Sequence, residues 1–481
     1  SDRAVVAAVS AGVVVGAAGA ALVMALWRKA NSDCKAHHSE PLVGTPHPAM
    51  SKYGGAVFLD YNATTPVFPE VACAMQPFIT GCFGNPSSSH VFGQPSRAAV
   101  LKARRFVQAL IAAKSEKEVV FTSCGSESDN AAIDIAISRF HSSRAGLELP
   151  PALPHVVTTA VEHPAVLKYL EHLQAAGRAA VTVVPVDAQG VVDVAAVVQA
   201  VGDETALVTV MHSNNEVGTL QPVAAIASAV QRLNQQRRGL APVLVHSDAA
   251  QSVGKVPVSV AQLGVDLLTV VGHKFGAPKG IAALYVRGGA RADEPIIVGA
   301  TQEWGARAGT ENVLLMVALG EASRVAMKES ALTTRHMLSL KKMLIEGIRS
   351  ELHNPQDAAF IRLNGPDADA DVALLDAPEV DPAALRALPN TVSVSFRGVK
   401  APLLASLLAD KVACSLGSAC HSSGSAAHSM SGVLSAMGVP EEYGLGTLRL
   451  SVGRHTTAAE VRAAVRSLKE VVKTARSHEA T

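Results

Sequence analysis

The stretch LLTVVGHKFG, residues 267–276, decides the fold class. Five apolar or β-branched residues are followed directly by a glycine and a polar turn. A continuous apolar run of this length, bounded by turn residues, is typical of a strand that is buried on both faces. Similar runs, separated by longer amphipathic stretches, lie at 119–121, 155–158, 207–211 and 243–246. This alternation predicts an α/β fold with a mainly parallel sheet between layers of helices.

Polar residues follow each of these predicted strands. They lie at 122–128, 162–163, 212–216, 247–251 and 273–274. Because ligands bind at the carboxyl ends of parallel strands, we expect these residues to form one site. Pyridoxal phosphate needs a lysine for a covalent link, an acid facing the pyridine nitrogen, a flat group on the ring and a phosphate cup. The first three roles suit Lys274, Asp248 and His163. Ser126 and His273 suit the phosphate cup.

The predicted cup lies where a strand runs into a helix. Residues 122–128 are mostly small, and we predict a helix from about Asp129 to Phe140, followed by a loop over 141–154. The N–H groups and the dipole at a helix N-terminus attract anions. Taken alone, this turn favours an ordinary helix capped by serine over a phosphate site.

The N-terminus has a different composition from the rest of the chain. Ala4 to Trp27 is a stretch of 24 residues without a charge, and Arg28 and Lys29 follow it. An apolar helix of this length can cross a membrane, and the basic pair favours a cytosolic catalytic part. Residues 1–30 are therefore predicted to be a membrane anchor. The alternatives are a targeting segment, as in a mitochondrial protein, or a helix buried in a soluble cytosolic protein.

Composition and pattern divide the remaining chain. Residues 31–55 are polar and are predicted to be a linker, and 56–315 form the large domain, with 56–75 able to pack on its smaller neighbour. A helical pattern from Val313 to Leu352 and an alternating strand at 391–396 predict a smaller α+β domain over 316–481. The net charge of +1 gives no support to nucleic-acid binding. Six scattered cysteines without a CxxC motif are typical of a reducing compartment.

Ten motifs, in this order, resemble the aminotransferase class V family of pyridoxal-phosphate enzymes. More narrowly, they are similar to the group of cysteine desulfurases and selenocysteine lyases. They are LDYNATTP (59–66), GNPSS (84–88), FTSCGSESDN (121–130), VEHPAVL (161–167), NNEVGT (214–219), HSDAAQSVGK (246–255), VGHKFGAPKG (271–280), RAGTEN (307–312), GSACHS (417–422) and LRLSVGRHTT (448–457). The resemblance implies a large cofactor domain with a seven-stranded sheet and a small domain that carries a catalytic cysteine.

The resemblance also implies a role for each matching residue. Lys274 would link to pyridoxal phosphate, His163 would stack on its ring, and Asp248 and Gln251 would face the pyridine nitrogen and the phenolic oxygen. The phosphate would be held by Gly125, Ser126 and His273, together with Thr310 from the partner subunit of a homodimer. Asn62, Asn215 and Arg449 would bind the amino-acid substrate, and Asn215 would also contact the cofactor. No metal site is expected, because Cys414, Cys420, His421 and His428 match no common zinc spacing.

Cys420 would remove selenium or sulfur from L-selenocysteine or L-cysteine and leave L-alanine. Only a thiolate is a good nucleophile, and His421 is a candidate to assist its deprotonation. Cys124 is a rival, since a helix N-terminus favours a thiolate. The context of Cys420 favours a selenocysteine lyase, and the close alternative is a cysteine desulfurase that supplies persulfide sulfur to an acceptor protein for iron–sulfur clusters or thiolation. A related aminotransferase and an inactive membrane-tethered scaffold are the remaining alternatives.

Overall fold

The computed structural model describes residues 42–237, 239–353, 357–416 and 430–479. The strands, in chain order, are β1 (Val57–Phe58), β2 (Val119–Thr122), β3 (His155–Thr159), β4 (Ala180–Val184), β5 (Thr205–Thr209), β6 (Leu244–Asp248), β7 (Leu267–Val271), β8 (Ala282–Val286), β9 (Ile361–Asn364), β10 (Thr391–Phe396), β11 (Val412–Ala413) and β12 (Thr447–Ser451).

The α-helices alternate with the strands through the first two thirds of the chain. In chain order they are α1 (Pro69–Thr80), α2 (Gly93–Leu110), α3 (Gly125–Gly146), α4 (Pro164–Ala175), α5 (Val194–Gln199), α6 (Val223–Gln236), α7 (Val260–Leu263), α8 (Val313–Glu351), α9 (Ala368–Ala373), α10 (Ala401–Leu408), α11 (Gly432–Ala436), α12 (Glu441–Gly444) and α13 (Ala458–Glu479).

A seven-stranded sheet forms the centre of the large domain, in the order β2-β8-β7-β6-β5-β3-β4. Strands β4, β3, β5, β6 and β7 pair in parallel, and β8 runs antiparallel to both β7 and β2. The prediction of a mainly parallel sheet of seven strands is confirmed. Every residue of β2, β5, β7 and β8 is buried, as their continuous apolar runs predict.

Helices cover both faces of this sheet, and each face has its own apolar core. In β2, Val120 packs in the core that contains Ile133 of α3, whereas the next residue, Phe121, packs in the core that contains Val107 of α2. Because successive side chains of a strand point to opposite faces, a strand between two cores must be apolar at every position. This arrangement leaves the strand ends as the places where polar side chains can gather.

A separate core belongs to the small domain. Its sheet has the order β12-β10-β9, and all three strands are antiparallel to their neighbours. The 39-residue helix α8 connects the two domains. Leu319 packs in the large-domain core that contains Phe121, and Leu344 packs in the small-domain core. The short strand β1, which starts the large domain in sequence, pairs in parallel with β11 of the small domain.

The described residues before β1 contact the small domain. The N–H of Gly44 donates to the carbonyl of Arg454 at 2.8 Å, and the rings of His47 and His455 meet edge to face at 5.1 Å. Within the described ranges, no helix has both the length and the apolar character that a membrane crossing requires. The predicted anchor at 4–27 lies outside those ranges and stays a prediction.

Candidate active site

Lys274 lies in the turn that follows β7. A short 3-10 segment, Gly272–Lys274, ends the strand, and the Nζ of Lys274 donates to the carbonyls of Asn62 at 2.7 Å and Ala63 at 2.9 Å. Thr65, in the same segment as those carbonyls, donates to the carbonyl of His273 at 3.1 Å. The LDYNATTP segment therefore wraps around the lysine turn and fixes the position of the amine.

Asp248 and His163 lie beside Lys274. Asp248 ends β6, and burial raises the pKa of its carboxyl group, while the nearby His163 and Lys274 oppose this increase. His163 caps helix α4, and its Nδ1 accepts the backbone N–H of Ala165 at 3.1 Å, so the neutral ring carries its proton on Nε2. Burial lowers the pKa of His163 more than the Asp248 carboxylate raises it. An amine, an acid and a flat neutral ring are thus neighbours at the strand ends.

The N-terminus of α3 supplies the cup. This helix is 22 residues long and begins at Gly125, where a Cβ atom would lie only 2.8 Å from Cγ2 of Val271. Glycine therefore lets the first turn of α3 approach the end of β7 closely. Ser126 is exposed in that turn, and burial together with three lysines lowers the pKa of His273 to about 4. The predicted cup would therefore offer backbone N–H groups, a hydroxyl and a neutral imidazole to a phosphate.

This donor set fits pyridoxal phosphate. The amine of Lys274 can link to an aldehyde, and the buried Asp248 can hold a proton on a pyridine nitrogen. The ring of His163 can stack on the pyridine, and the end of α3 can accept the phosphate through its dipole and N–H groups. All of these groups come from strand ends of one sheet, as the sequence predicts. Their individual roles stay predictions.

Asn62 is the centre of a hydrogen-bond network at the site. It is 1% exposed, and its Oδ1 accepts from the Nζ of Lys255 at 2.9 Å and from Nδ2 of Asn390 at 3.0 Å. Its Nδ2 donates to the carbonyl of Asn215 at 3.2 Å and to the hydroxyl of Thr391 at 2.8 Å. Two acceptor and two donor positions are the full capacity of an asparagine amide. The geometry therefore favours a structural role for this side chain over the predicted contact with substrate.

Arg449 of β12 reaches the site from the small domain. Its guanidinium is 2% exposed and donates to the carbonyl of Asn215 at 3.1 Å, to Oδ1 of Asp60 at 2.9 Å and to the hydroxyl of Ser415 at 2.8 Å. Its Nε is buried without a hydrogen-bond partner. Buried donors without partners are rare in folded proteins, so this atom can bind a further acceptor. The predicted carboxylate-binding role of Arg449 is compatible with this geometry.

The predicted nucleophile, Cys420, and its neighbour His421 lie outside the described residues. The flanking residues on both sides of that gap are described. Ser415 bonds Asp60 and Arg449, with its hydroxyl 2.9 Å from Oδ1 of Asp60. On the other side, the hydroxyl of Ser431 donates to Glu216. The chain therefore leaves and re-enters the described structure beside the predicted substrate residues.

The described cysteines differ in character. Burial raises the pKa of Cys414 to about 12, so its thiol stays protonated. Cys124 is exposed at the N-cap of α3, where the hydroxyl of Ser123 lies 3.7 Å from its sulfur. Across the ranges that the structure describes, no cluster of three or more histidine, cysteine or acidic residues is arranged to hold a metal ion.

The segment that precedes Thr310 is held by two ion pairs. Arg104 binds the carboxylate of Glu303 at 2.6 Å in a buried pair, and Nε of Arg307 binds Glu127 of the cup at 2.9 Å. Glu303 and the next residue both have positive φ angles, 46° and 57°, which are uncommon without glycine. Thr310 itself is exposed, so a partner chain can reach it.

Sequence reasoning missed three residues of this site. Asp60, Lys255 and Ser415 hold the predicted site residues Arg449, Gln251 and Asn62 in place. Asp60 and Lys255 both lie inside the motifs quoted above, but a charged residue in a motif does not reveal its partner. Asp60 and Ser415 each lie two residues after the end of a short strand, β1 or β11, and this position is the available signal. Lys255 lies seven residues after β6 and has no such signal.

Comparisons with known proteins agree with the geometry. The model of the family described as aminotransferase class-V matches residues 57–372. A cysteine desulfurase of Trichormus azollae is 38% identical over 422 residues, which cover 88% of this chain and 94% of that protein. The human (Homo sapiens) selenocysteine lyase is 38% identical over 450 residues, 89% of this chain and 96% of that protein. A solved structure described as a NifS-like protein superposes with a TM-score of 0.71 at 32% identity, covering 87% of this chain and all of that one.

Proposed function

This chain belongs to the aminotransferase class-V family, and we propose that it is a pyridoxal-phosphate-dependent selenocysteine lyase that uses Cys420 to release L-alanine. The observation that carries the proposal is the meeting of two groups of residues. Lys274, Asp248 and His163 form a cofactor pocket, and Ser415, which precedes Cys420 by five residues, bonds directly to Arg449. Five residues span at most about 18 Å, so the chain length allows Cys420 to reach the predicted substrate.

Pyridoxal phosphate, when bound, supplies an electron sink that makes the Cα proton acidic and weakens the bond from Cβ to sulfur or selenium. Side chains of the protein bind the cofactor, move the proton and orient the substrate. Lys274 holds the cofactor and its Nζ takes the Cα proton of the substrate. Asp248 keeps a proton on the pyridine nitrogen, and Arg449 binds the substrate carboxylate and so orients Cβ toward Cys420.

The transfer of sulfur or selenium to Cys420 is a nucleophilic displacement. The thiolate of Cys420 attacks the sulfur or selenium atom, a new bond forms between the two chalcogens, and the bond to Cβ breaks. The electron pair of the broken bond goes to the carbon side, where protonation completes L-alanine. Cys420 is left as a persulfide or selenopersulfide, which an acceptor protein or a thiol can then reduce or remove.

Selenium is favoured over sulfur by the sequence around two positions. Ala-Cys-His-Ser at 419–422 and the apolar Val271 before Gly-His-Lys resemble selenocysteine lyases more than desulfurases. A cysteine desulfurase that passes sulfur to an acceptor protein is the second candidate, supported by the similarity to the desulfurase of Trichormus azollae. Steady-state alanine release from L-cysteine and L-selenocysteine, measured on one purified sample, separates the two candidates. A much higher kcat/KM for L-cysteine would contradict the selenocysteine lyase assignment.

The assembly is proposed to be a homodimer in which Thr310 of each subunit reaches the phosphate of the other. We expect Thr310→Ala to weaken cofactor retention by about 1 kcal/mol or more, as for the loss of a hydrogen bond to a charged group. Thr301→Ala, at an exposed threonine of the same segment, is the matched control and should retain the cofactor normally. Equilibrium dialysis of the cofactor measures both. Light scattering that finds a fully active monomer of residues 31–481 would contradict this assembly.

The membrane attachment is proposed from the charge-free stretch at 4–27. The full-length protein should sediment with membranes and resist carbonate extraction, and deletion of residues 1–30 should release it with unchanged turnover. Val15→Lys, in the middle of the stretch, should weaken insertion by about 3 kcal/mol, the cost of a lysine at the centre of a spanning helix. Extraction of the intact chain by salt or carbonate would show that the segment does not span a membrane.

A further inference from the structure

A second lysine lies inside the site, and the mechanism above does not use it. Lys255 is 5% exposed, at the end of the motif HSDAAQSVGK. Its Nζ donates to Oε1 of Gln251 at 2.8 Å and to Oδ1 of Asn62 at 2.9 Å. Both partners are neutral amide oxygens. Burying a lysine without a carboxylate partner costs folding free energy, so the presence of Lys255 at this position calls for an explanation.

The surroundings of Lys255 are unusual for a lysine. Burial lowers the pKa of Lys255 well below its ordinary value, and Lys274 and Arg449 lower it further. The charged and titratable groups that act on it or on which it acts are Lys274 and His273, from the turn after β7, and Arg449 of β12. All are cationic or neutral. In contrast, Lys341, the buried lysine of α8, lies 3.5 Å from the Asp371 carboxylate.

The two hydrogen bonds fix the orientation of the Gln251 amide. An amine that donates to Oε1 forces that oxygen toward Lys255 and turns Nε2 to the opposite side. Nε2 donates one of its two protons to the carbonyl of Asn62 at 2.9 Å, and that same carbonyl accepts from Lys274. The second proton of Nε2 is left for a ligand. The resemblance places Gln251 against the phenolic oxygen of the cofactor, which needs a donor and not an acceptor.

We propose that Lys255 is a positioning residue for the cofactor: it holds the Gln251 carboxamide with its N–H group toward the phenolic oxygen and locks Asn62 against the lysine turn. The inference rests on the cofactor part of the proposed function and is independent of the choice between selenium and sulfur. It assigns the last residue of HSDAAQSVGK to the chemistry of the cofactor instead of to packing alone.

The test is the pH titration of the cofactor's visible absorbance in Lys255→Met, which keeps an unbranched side chain one atom shorter than lysine and removes the N–H donors. Without Lys255 the Gln251 amide can turn its oxygen to the phenolic oxygen, and the site loses a donor or a positive charge. Both changes destabilise the phenolate and favour protonation of the covalent link. The midpoint of the absorbance titration should therefore rise by about one pH unit. Retention of the cofactor should weaken by about tenfold.

Three further variants separate positioning from a structural role. Lys341→Met removes another buried lysine, which bonds the carbonyl of Leu388 at 3.1 Å, and should lower Tm without moving the midpoint. In a Gln251→Ala background, Lys255→Met should produce little further shift, because the two residues act through one contact. Lys255→Gln, a neutral donor, should give a smaller shift than Lys255→Met and serves in its place if the methionine variant does not fold.

The outcomes are distinguishable. An unchanged midpoint in a coloured, folded Lys255→Met or Lys255→Gln variant overturns this inference and leaves the proposed function intact. A full additional shift in the Gln251→Ala background overturns the route through Gln251. A wild-type protein that takes up no pyridoxal phosphate overturns the proposed function, and this inference with it.

Discussion

Lys274→Ala should give a colourless protein whose alanine release falls by about a thousandfold or more. The substitution removes both the amine that links to the cofactor and the base that takes the Cα proton. The fold should survive, since Lys274 is only partly buried and its Nζ donates to the backbone carbonyls of Asn62 and Ala63. Absorbance spectra of the purified variant, with and without added pyridoxal phosphate, and a steady-state assay for alanine check both expectations.

Chemical mapping gives the same test in the wild-type protein. Borohydride reduction followed by peptide mass spectrometry should place the pyridoxyl group on Lys274. Lys279, five residues further along the same segment and exposed, is the matched control, and Lys279→Ala should keep colour and turnover. A pyridoxyl group on Lys279, or on the buried Lys255, would contradict the assignment of Lys274 as the residue linked to the cofactor.

Cys420→Ala should reduce alanine release from L-cysteine by about a thousandfold or more, because the nucleophile that accepts sulfur is lost. L-selenocysteine is expected to retain part of its turnover, since selenide is a better leaving group and depends less on a thiolate acceptor. Assays of both substrates at equal cofactor occupancy separate these effects. Unimpaired turnover of L-cysteine would show that the catalytic cysteine is not Cys420.

The other cysteines provide the controls. Cys124 is the N-cap residue of α3, at the predicted phosphate cup, and its sulfur is expected to lie away from the substrate's Cβ. Cys414 is held protonated by burial, which raises its pKa to about 12. Cys124→Ala and Cys414→Ala should therefore both keep most of the activity toward L-cysteine. A large loss in Cys124→Ala with retained cofactor would move the nucleophile to the cup.

The strands and their polar ends could be predicted because both follow from local composition. A run such as Leu267 to Val271 is apolar or β-branched at every position because it separates two cores, and the polar residues after it lie at the edge of the sheet. The convergence of Lys274, Asp248 and His163 follows from parallel strand order alone. The long helix α8 was predictable for a similar reason: its helical periodicity continues over many turns.

Features set by distant contacts were not predictable. Helix α3 was expected to run from about Asp129 to Phe140, but it spans Gly125–Gly146. The extra turn at its C-terminal end is stabilised by Arg144, which bonds Glu204 at 2.8 Å and the carbonyl of Pro150 at 2.7 Å. The two residues of this salt bridge are 60 positions apart, so the sequence around α3 does not predict where the helix ends.

The hydrogen-bond network around Asn62 also depends on contacts between residues that are far apart in the chain, so the sequence does not predict it. Its partners Lys255, Asn215 and Asn390 come from three separate parts of the chain, and the last belongs to the small domain. Sequence motifs identify these residues as important without revealing that they bind one another. The predicted substrate role of Asn62 came from the motif, whereas its saturated amide is visible only in the structure.

The role of Cys420 as the sulfur acceptor can be tested by locating the sulfur after a single turnover. Wild-type enzyme is mixed with one equivalent of L-cysteine in the absence of thiols, alkylated at once and digested, and the peptides are analysed by mass spectrometry. We expect one additional sulfur atom on the peptide that contains Cys420, in amounts matching the L-alanine formed. Additional sulfur on the Cys124 peptide, or L-alanine formed without any sulfur on Cys420, would contradict that role.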